Sequence, residues 1–252
     1  MSALHPDPGA GQGRLHGVGV GPGDPDLVTM RAAALVQSCP VIAFFAKRGG
    51  RGLGRAVVER WMAPHTKVEL PLIYPVTVEI PFQDRAYGEA LADFYEECST
   101  RIASHLSAGR DVALLCEGDP LFYGSFMHIH VRLRERFCVS ICPGVTGMSG
   151  CWTAAAEPIA WGDDVLTVLP GTLSRQELAA RLAATDAAVV MKLGRNFSKV
   201  KAALADAGLS ARAIYVERGA TSEQKIMPLL EKRDEEAPYF SMIILPGRNR
   251  RR

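Results

Sequence analysis

The stretch Val112-Ala113-Leu114-Leu115-Cys116-Glu117-Gly118-Asp119-Pro120-Leu121-Phe122-Tyr123-Gly124-Ser125 decides how this chain reads. Its first five residues are a short apolar run that suits a buried strand. After it, Phe126, Ile129, Leu133 and Phe137 recur on one face of a helix. Two acids, two glycines and a proline therefore occupy a strand-to-helix turn. In open α/β sheets, ligands bind beyond the carboxyl ends of the strands, where such turns lie. Gly118 and Gly124 lack a Cβ and let backbone approach a ligand closely. The plainer alternative is a tight turn in which Asp119 caps the helix that follows.

Four more glycine turns stand at expected strand ends. The first is Gly17-Val18-Gly19-Val20-Gly21-Pro22-Gly23-Asp24-Pro25-Asp26-Leu27-Val28-Thr29. It resembles a dinucleotide fingerprint only superficially, because Pro22 and Asp24 stand where the third glycine is required. No Gly-Lys-Ser/Thr follows, which excludes a phosphate-cradling P-loop. The others are Pro143-Gly144-Val145-Thr146-Gly147-Met148-Ser149-Gly150, Met191-Lys192-Leu193-Gly194-Arg195 and Glu217-Arg218-Gly219-Ala220-Thr221. Five such turns suggest a ligand cleft built mostly from backbone.

The chain has 252 residues, 48% apolar and 22% charged, which is room for one large or two modest α/β domains with real cores. No apolar run approaches the ~20 residues that span a bilayer. Residues 1–13 are rich in Gly, Pro and Ala, lack the apolar centre of a secretory signal, and read as a flexible arm. The six cysteines form no Cys-x-x-Cys pair and suit reduced thiols in a cytoplasm. His128 and His130, two apart on a helix, point in different directions and read as structural rather than metal-binding. A formal charge of +2 implies no nucleic-acid partner. Locally, Lys47, Arg48, Arg51 and Arg55 are interleaved with four glycines, and the chain ends in the basic tail 248–252. A solvated loop and tail is the plain reading; an anion clamp is the alternative for the loop.

Strand and helix alternate throughout, which argues an α/β fold with mostly parallel strands. Strands are expected near 14–20, 41–46, 68–72, 111–116 and 138–142, with helices near 29–37, 55–61, 84–108 and 124–135. A boundary falls at 143–144. Beyond it, helices are expected at 148–156, 174–183 and 198–207, and strands at 165–169, 187–191, 213–216 and 240–245. Thr29 suits an N-cap, Ser174 with Glu177 a capping box, and 228–238 an exposed connection. The domains are thus the arm 1–13, a first α/β domain 14–143, a second 144–247, and the tail.

The five turns, together with the closing Tyr239-Phe240-Ser241-Met242-Ile243-Ile244-Leu245, resemble the tetrapyrrole methylases in order from Gly17 to Leu245. More narrowly, Leu72-Ile73-Tyr74-Pro75-Val76-Thr77-Val78-Glu79-Ile80-Pro81, Phe94-Tyr95-Glu96-Glu97 and the run from Glu117 to His130 resemble the precorrin-2 C20-methyltransferases. The resemblance implies two consecutive α/β domains with a cleft between them, S-adenosylmethionine as methyl donor, no metal, and precorrin-2 as substrate in cobalamin synthesis. It implies a cytoplasmic homodimer without a membrane partner. The implied cofactor residues are Pro22, Glu117, Gly118, Asp119, Phe122, Thr146, Gly147, Met191, Gly219, Ala220 and Thr221. Glu117 stands where many relatives have glycine. Lys47, Arg48, Arg51 and Arg55 are candidates for the substrate's carboxylate arms.

A methyl transfer from a sulfonium is a direct displacement, so the protein has mainly to align the reactants and exclude water. Nothing in the residues requires a triad or a metal. Asp24 is the nominated general base or substrate ligand, and Glu79, Tyr123 and Glu217 are weaker candidates. Three rivals remain: the cobalt-loaded substrate, another tetrapyrrole or RNA methylase, and a non-catalytic cofactor-binding module. An RNA substrate would favour a continuous basic face, and the cations here cluster in one loop.

Overall fold

The computed structural model describes residues 11–62, 66–75 and 85–248. The chain divides into two compact units, Met1–Thr146 and Gly147–Arg252.

The first unit runs β1 (Leu15–Gly19), α1 (Met30–Ser38), β2 (Val41–Ala46), α2 (Leu53–Val57), β3 (Val68–Ile73), α3 (Arg85–Ser107), β4 (Val112–Cys116), α4 (Phe126–Leu133) and β5 (Val139–Cys142). Its sheet has the order β3-β2-β4-β1-β5, every pair parallel. Helices cover both faces, so β2 and β4 are apolar without alternation, and β1 and β4 are buried at every position, His16 of β1 included. Residues of opposite parity feed separate cores. Leu15, Val41, Leu72 and Leu114 pack against Ile102 and Leu106 of α3 and Phe126, Ile129 and Leu133 of α4. Val18, Ile42, Phe44 and Leu115 pack against Ala32 and Val36 of α1 and Val57 of α2.

The local signals explain the helix ends. Thr29 Oγ1 accepts the Ala32 N–H at 3.1 Å and starts α1. Gly109, at φ +74°, follows α3 and donates its N–H to Leu106 O at 3.0 Å. The expected helix over 55–61 is instead the short α2 followed by a 3-10 turn, Glu59–Trp61.

The second unit runs α5 (Gly147–Ala154), β6 (Leu166–Pro170), α6 (Arg175–Ala183), β7 (Ala187–Met191), α7 (Phe197–Asp206), β8 (Ile214–Glu217), β9 (Lys225–Pro228) and β10 (Ser241–Leu245). Here the expectation of mostly parallel strands needs correction. The order is β6-β7-β10-β8-β9, and β6–β7 is the parallel pair; the other three pairings are antiparallel. The reason lies in the connections. A parallel neighbour needs a long crossover, usually an α-helix; no α-helix joins β8 to β9, and only the 3-10 turn Leu229–Glu231 lies between β9 and β10. The loop 218–224 joins β8 and β9 as a hairpin, and β10 returns to fill the gap between β7 and β8. Strand β9 is an unexpected element. The stretch 228–238 is mostly exposed, as expected, but it is pinned to the sheet at its start. Leu229 is buried, its N–H donates to Ala213 O at 2.8 Å, and Lys232 Nζ lies 5.1 Å from the Tyr215 ring centre.

Helices α6 and α7 cover one face through Leu178, Leu182, Val200 and Leu204. Helix α5 covers the other, with Cys151 against Val189, Val216 and Ile244. Ser174 and Glu177 form the expected capping box. All six cysteines are free thiols. Burial pushes Cys39 up to about 11, Cys98 and Cys151 to about 12, and Cys116 well above its ordinary value. Among the described residues, no helix is long and apolar enough to cross a membrane.

Gly17 is the clearest packing constraint in β1, because a Cβ there would overlap the ring of Phe126. Gly17→Ala is expected to destabilise the fold by about 1–3 kcal/mol in urea denaturation, and adding Phe126→Leu should recover part of that loss.

Candidate active site

All five strands of the first sheet end on one edge, which gathers five loops there. The loops after β1 and β2 lead to α1 and α2 on one face. The loop after β4 leads to α4 on the other. Because β4 lies between β1 and β2, its loop diverges from both neighbours, which is the arrangement that opens a binding crevice in parallel sheets.

Backbone contacts hold these loops together. The Gly118 N–H donates to Gly21 O at 2.8 Å. Both residues adopt left-handed backbone, φ +68° and +80°, where a side chain would be strained. A Cβ on Gly144 would overlap the Gly118 carbonyl, and one on Gly19 would fall within 2.7 Å of the same oxygen. The carboxyl ends of β4, β1 and β5 therefore meet with no side chain between them. Asp119 fastens the junction. Its Oδ2 accepts the Gly144 N–H at 3.2 Å and its Oδ1 accepts the Leu121 N–H at 2.9 Å. Asp119 thus makes a local turn and ties two loops. It does not cap α4, whose preceding residue is Ser125.

Pro22 is half-buried beside Gly21. Asp24 caps the 3-10 turn Pro25–Leu27, its Oδ1 accepting the Asp26 N–H at 2.8 Å, and Oδ2 makes no hydrogen bond among the described residues. Glu117 accepts the Gly54 N–H at 2.9 Å and so joins the loop after β4 to α2. Its surface is open to water, yet the protein atoms crowded around it raise its pKa, an effect the backbone N–H donors oppose. Phe122 is half-buried and meets the ring of Tyr123 edge-on at 5.0 Å.

The four cations of the glycine loop separate into distinct groups. Lys47 and Arg48 are exposed, with no ion-pair partner among the described residues. Arg51 is exposed and 3.2 Å from Glu59. Arg55 corrects the expectation of a substrate contact. Its side chain is only 8% exposed, grips Glu69 with two hydrogen bonds of 2.8 and 2.9 Å, and holds Glu59 at 2.6 Å. It clamps α2 to β3 and is not free to bind a ligand. Glu79 and the rest of the stretch 76–84 lie outside the described residues, as do 1–10, 63–65 and 249–252.

The second unit gathers its own loop ends. Strands β6, β7 and β8 run the same way, so Gly171, Lys192 and Arg218 follow them on one edge. Met191 closes β7, and its carbonyl accepts the Gly171 N–H at 2.7 Å. Three non-glycine residues in these loops, Lys192, Arg218 and Ala220, have left-handed backbone at φ +59°, +49° and +60°. Such strain collects at ligand clamps. Gly219 packs so closely on Cys151 of α5 that a Cβ would come within 2.9 Å of the sulfur. Thr221 Oγ1 donates to Arg218 O at 2.8 Å, and Gly147 opens α5 beside Met242. Thr146, half-buried, ends the first unit. Glu217 is buried, accepts the Tyr215 hydroxyl at 3.0 Å and lies 3.4 Å from Lys225 Nζ. Those partners argue for a structural role.

Sequence reasoning missed one node. Ser125 Oγ lies 2.5 Å from the Tyr74 hydroxyl and 3.0 Å from the Tyr95 hydroxyl. The sign available was a serine directly before a helix, normally a cap, whose side chain caps nothing here. His128 stacks on Tyr95 at 4.2 Å and His130 on Phe126 at 5.7 Å. Among the described residues, no three His, Cys, Asp or Glu gather as metal ligands.

The family model of the Tetrapyrrole (Corrin/Porphyrin) Methylases matches residues 14–232. A precorrin-2 C(20)-methyltransferase from Sinorhizobium sp is 55% identical over 95% of this chain and 97% of its own length. A cobalt-precorrin-2 C(20)-methyltransferase from Salmonella typhimurium is 30% identical over 92% of this chain and 96% of its own. Uroporphyrin-III C-methyltransferase from Thermus thermophilus, solved with S-adenyl homocysteine, shares the fold at a TM-score of 0.65 and 21% identity, covering 92% of this chain and 97% of that one.

Arg55→Ala is expected to destabilise the first unit by about 1–3 kcal/mol, because it strips a buried guanidinium from two carboxylates. Lys47→Ala should leave stability unchanged. The hydrogen bonds from Arg55 hold the Glu69 carboxyl below its ordinary 4.5. That contribution is present above the ordinary value and is lost as pH falls through the lowered one. Denaturation between pH 6 and 3 should therefore show a shallower acid decline for Arg55→Ala than for the parent chain.

Proposed function

We propose that this chain, which belongs to the tetrapyrrole (corrin/porphyrin) methylases, transfers a methyl group from S-adenosylmethionine to precorrin-2 at its meso carbon C20. The observation that carries this reading is the 55% identity to a precorrin-2 C(20)-methyltransferase over nearly the full length of both chains. The metal-free substrate is favoured over the cobalt-loaded one by the contrast with 30% identity to the cobalt-precorrin-2 enzyme. A cytoplasmic homodimer belongs to the same proposal.

The residues present suit S-adenosylmethionine, which supplies an activated methyl on a positively charged sulfur. Its amino-acid end needs both donors and acceptors, and its sulfonium favours nearby negative charge. In the first unit we assign Pro22, Glu117, Gly118, Asp119, Phe122 and Thr146 to it. In the second we assign Gly147, Met191, Gly219, Ala220 and Thr221. The junction at Gly118 supports this assignment, since there backbone packs on the backbone of Gly19 and Gly144 with no side chain between. So do the strained residues beside Met191 and Gly219.

Most of the work left to the protein is orientation and exclusion of water. Lys47 and Arg48, exposed and without an ion pair among the described residues, are assigned to the carboxylate arms of the macrocycle, with Arg51 as a partly engaged third. Arg55 anchors the end of their loop. Once the new carbon–carbon bond has formed, the meso carbon must shed its proton. Asp24 is the group we assign to receive it, through Oδ2.

Two measurements test the proposal. Anaerobic incubation with S-adenosylmethionine, offering precorrin-2 and cobalt-factor II in parallel, should add one methyl to the metal-free compound by mass spectrometry. Addition to the cobalt compound alone would move the chain to the cobalt-dependent route, and addition to neither would overturn the substrate assignment. Asp24→Asn retains the cap, because Asn caps a helix as well as Asp. It should therefore keep the melting temperature while lowering turnover about a hundredfold. Undiminished turnover would take Asp24 off the mechanism.

A further inference from the structure

Tyr123 is an aromatic residue in a conformation that aromatic residues seldom adopt. Its φ is +56°, and the residue is 44% exposed. A bulky residue in the left-handed region persists only when its surroundings over-determine it. Here the surroundings do so from both sides. Upstream, the loop is held by Gly118 N–H to Gly21, Glu117 to the Gly54 N–H, and Asp119 to the Gly144 N–H. Downstream, two residues later, Ser125 is gripped by the hydroxyls of Tyr74, at the end of β3, and Tyr95, on α3. Ser125 spends its side chain on this grip and leaves the helix N-terminus uncapped. The span between these anchors is forced into one shape, with the Tyr123 ring set against Phe122 at the carboxyl edge of the sheet.

We propose that Tyr123 is a substrate-contact residue whose ring stacks on the conjugated face of the tetrapyrrole, and that the Ser125–Tyr74–Tyr95 hydroxyl node is the positioning device that holds it there. The proposal rests on the reading of this chain as a tetrapyrrole methylase and adds the residue that meets the macrocycle itself. A half-exposed aromatic ring offers the flat, polarisable surface that a conjugated ring system prefers, in offset or edge-on geometry. Lys47 and Arg48 follow β2 on the same edge of the sheet and address the acidic rim, so face and rim are read by different loops. Tyr123 contributes binding and orientation. No proton is routed through it.

The test exploits the backbone. Tyr123→Gly removes the ring and relieves the strain, whereas Tyr123→Ala removes the ring and keeps the strain. Equilibrium binding of precorrin-2 would be followed anaerobically by absorbance, with S-adenosylhomocysteine present. Both variants should weaken binding by about tenfold or more, while Tyr123→Gly melts no lower than the parent chain and Tyr123→Ala melts lower. Ser125→Ala should weaken binding in the parent but add nothing in the Tyr123→Gly background, since the residue it positions is gone. Unchanged affinity in Tyr123→Gly would overturn the stacking role. Additive losses in the double variant would overturn the positioning role. Because binding is read without turnover, these outcomes stand apart from failure of the methylation assay. A parent chain that binds no precorrin-2 overturns both this proposal and the substrate assignment.

Discussion

The structure depends on a contact between three pieces of main chain. Gly19, Gly118 and Gly144 end or follow β1, β4 and β5, three neighbouring strands, and come together closely enough that a single Cβ would force them apart. Side chains ordinarily separate adjacent loops and leave water between them. Here the loops are fused, Gly118 to Gly21 by a backbone hydrogen bond and Gly144 to Asp119 by a carboxylate. The result is a rigid floor of peptide groups at the mouth of a parallel sheet. Everything assigned to the site in this unit stands on that floor or is aimed across it. Catalysis by orientation suits such a foundation, because errors of about 1 Å in placement can cost orders of magnitude in rate.

Much of this was legible in the residues. Apolar runs without alternation marked strands covered on both faces, and the caps at Thr29 and Ser174 marked helix starts, because each signal is local. The five glycine turns marked the loop edge for the same reason. What was hidden was non-local. Nothing in Lys225-Ile226-Met227-Pro228 marks an edge strand, and nothing in Ser241–Leu245 says that it inserts antiparallel between β7 and β8. Arg55 looked like its neighbours Lys47, Arg48 and Arg51, and only the fold brings Glu69 from β3 to neutralise it. Asp119 looked like a cap because the Gly144 N–H that it accepts is distant in sequence. The Ser125 node was hidden likewise, since its two tyrosines come from other elements.

The two sheets solve their connections differently, and the difference bears on where strain is kept. In the first, the crossovers are helical and the loop edge is relaxed by glycines, with Tyr123 the exception. In the second, Lys192, Arg218 and Ala220 carry side chains in left-handed backbone. They are held by local bonds such as Ala220 N–H to Gln224 and the ion pair of Arg218 with Glu223. Strain stored this way is paid for by the packed strands behind it, β8 above all, where Tyr215 and Val216 are completely buried.

The buried thiols have a consequence of their own. Four of the six cysteines have pKa values raised by burial, and all but Cys138 are buried. At neutral pH these four expose almost no thiolate, so an alkylating reagent must wait for the chain to open. Cys39, Cys98 and Cys116 lie in the first unit and Cys151 in the second. The native chain thus carries its own set of clocks, which time separately how often each half breathes. Cys151, wedged under Gly219, times the loosening of the loop that follows β8.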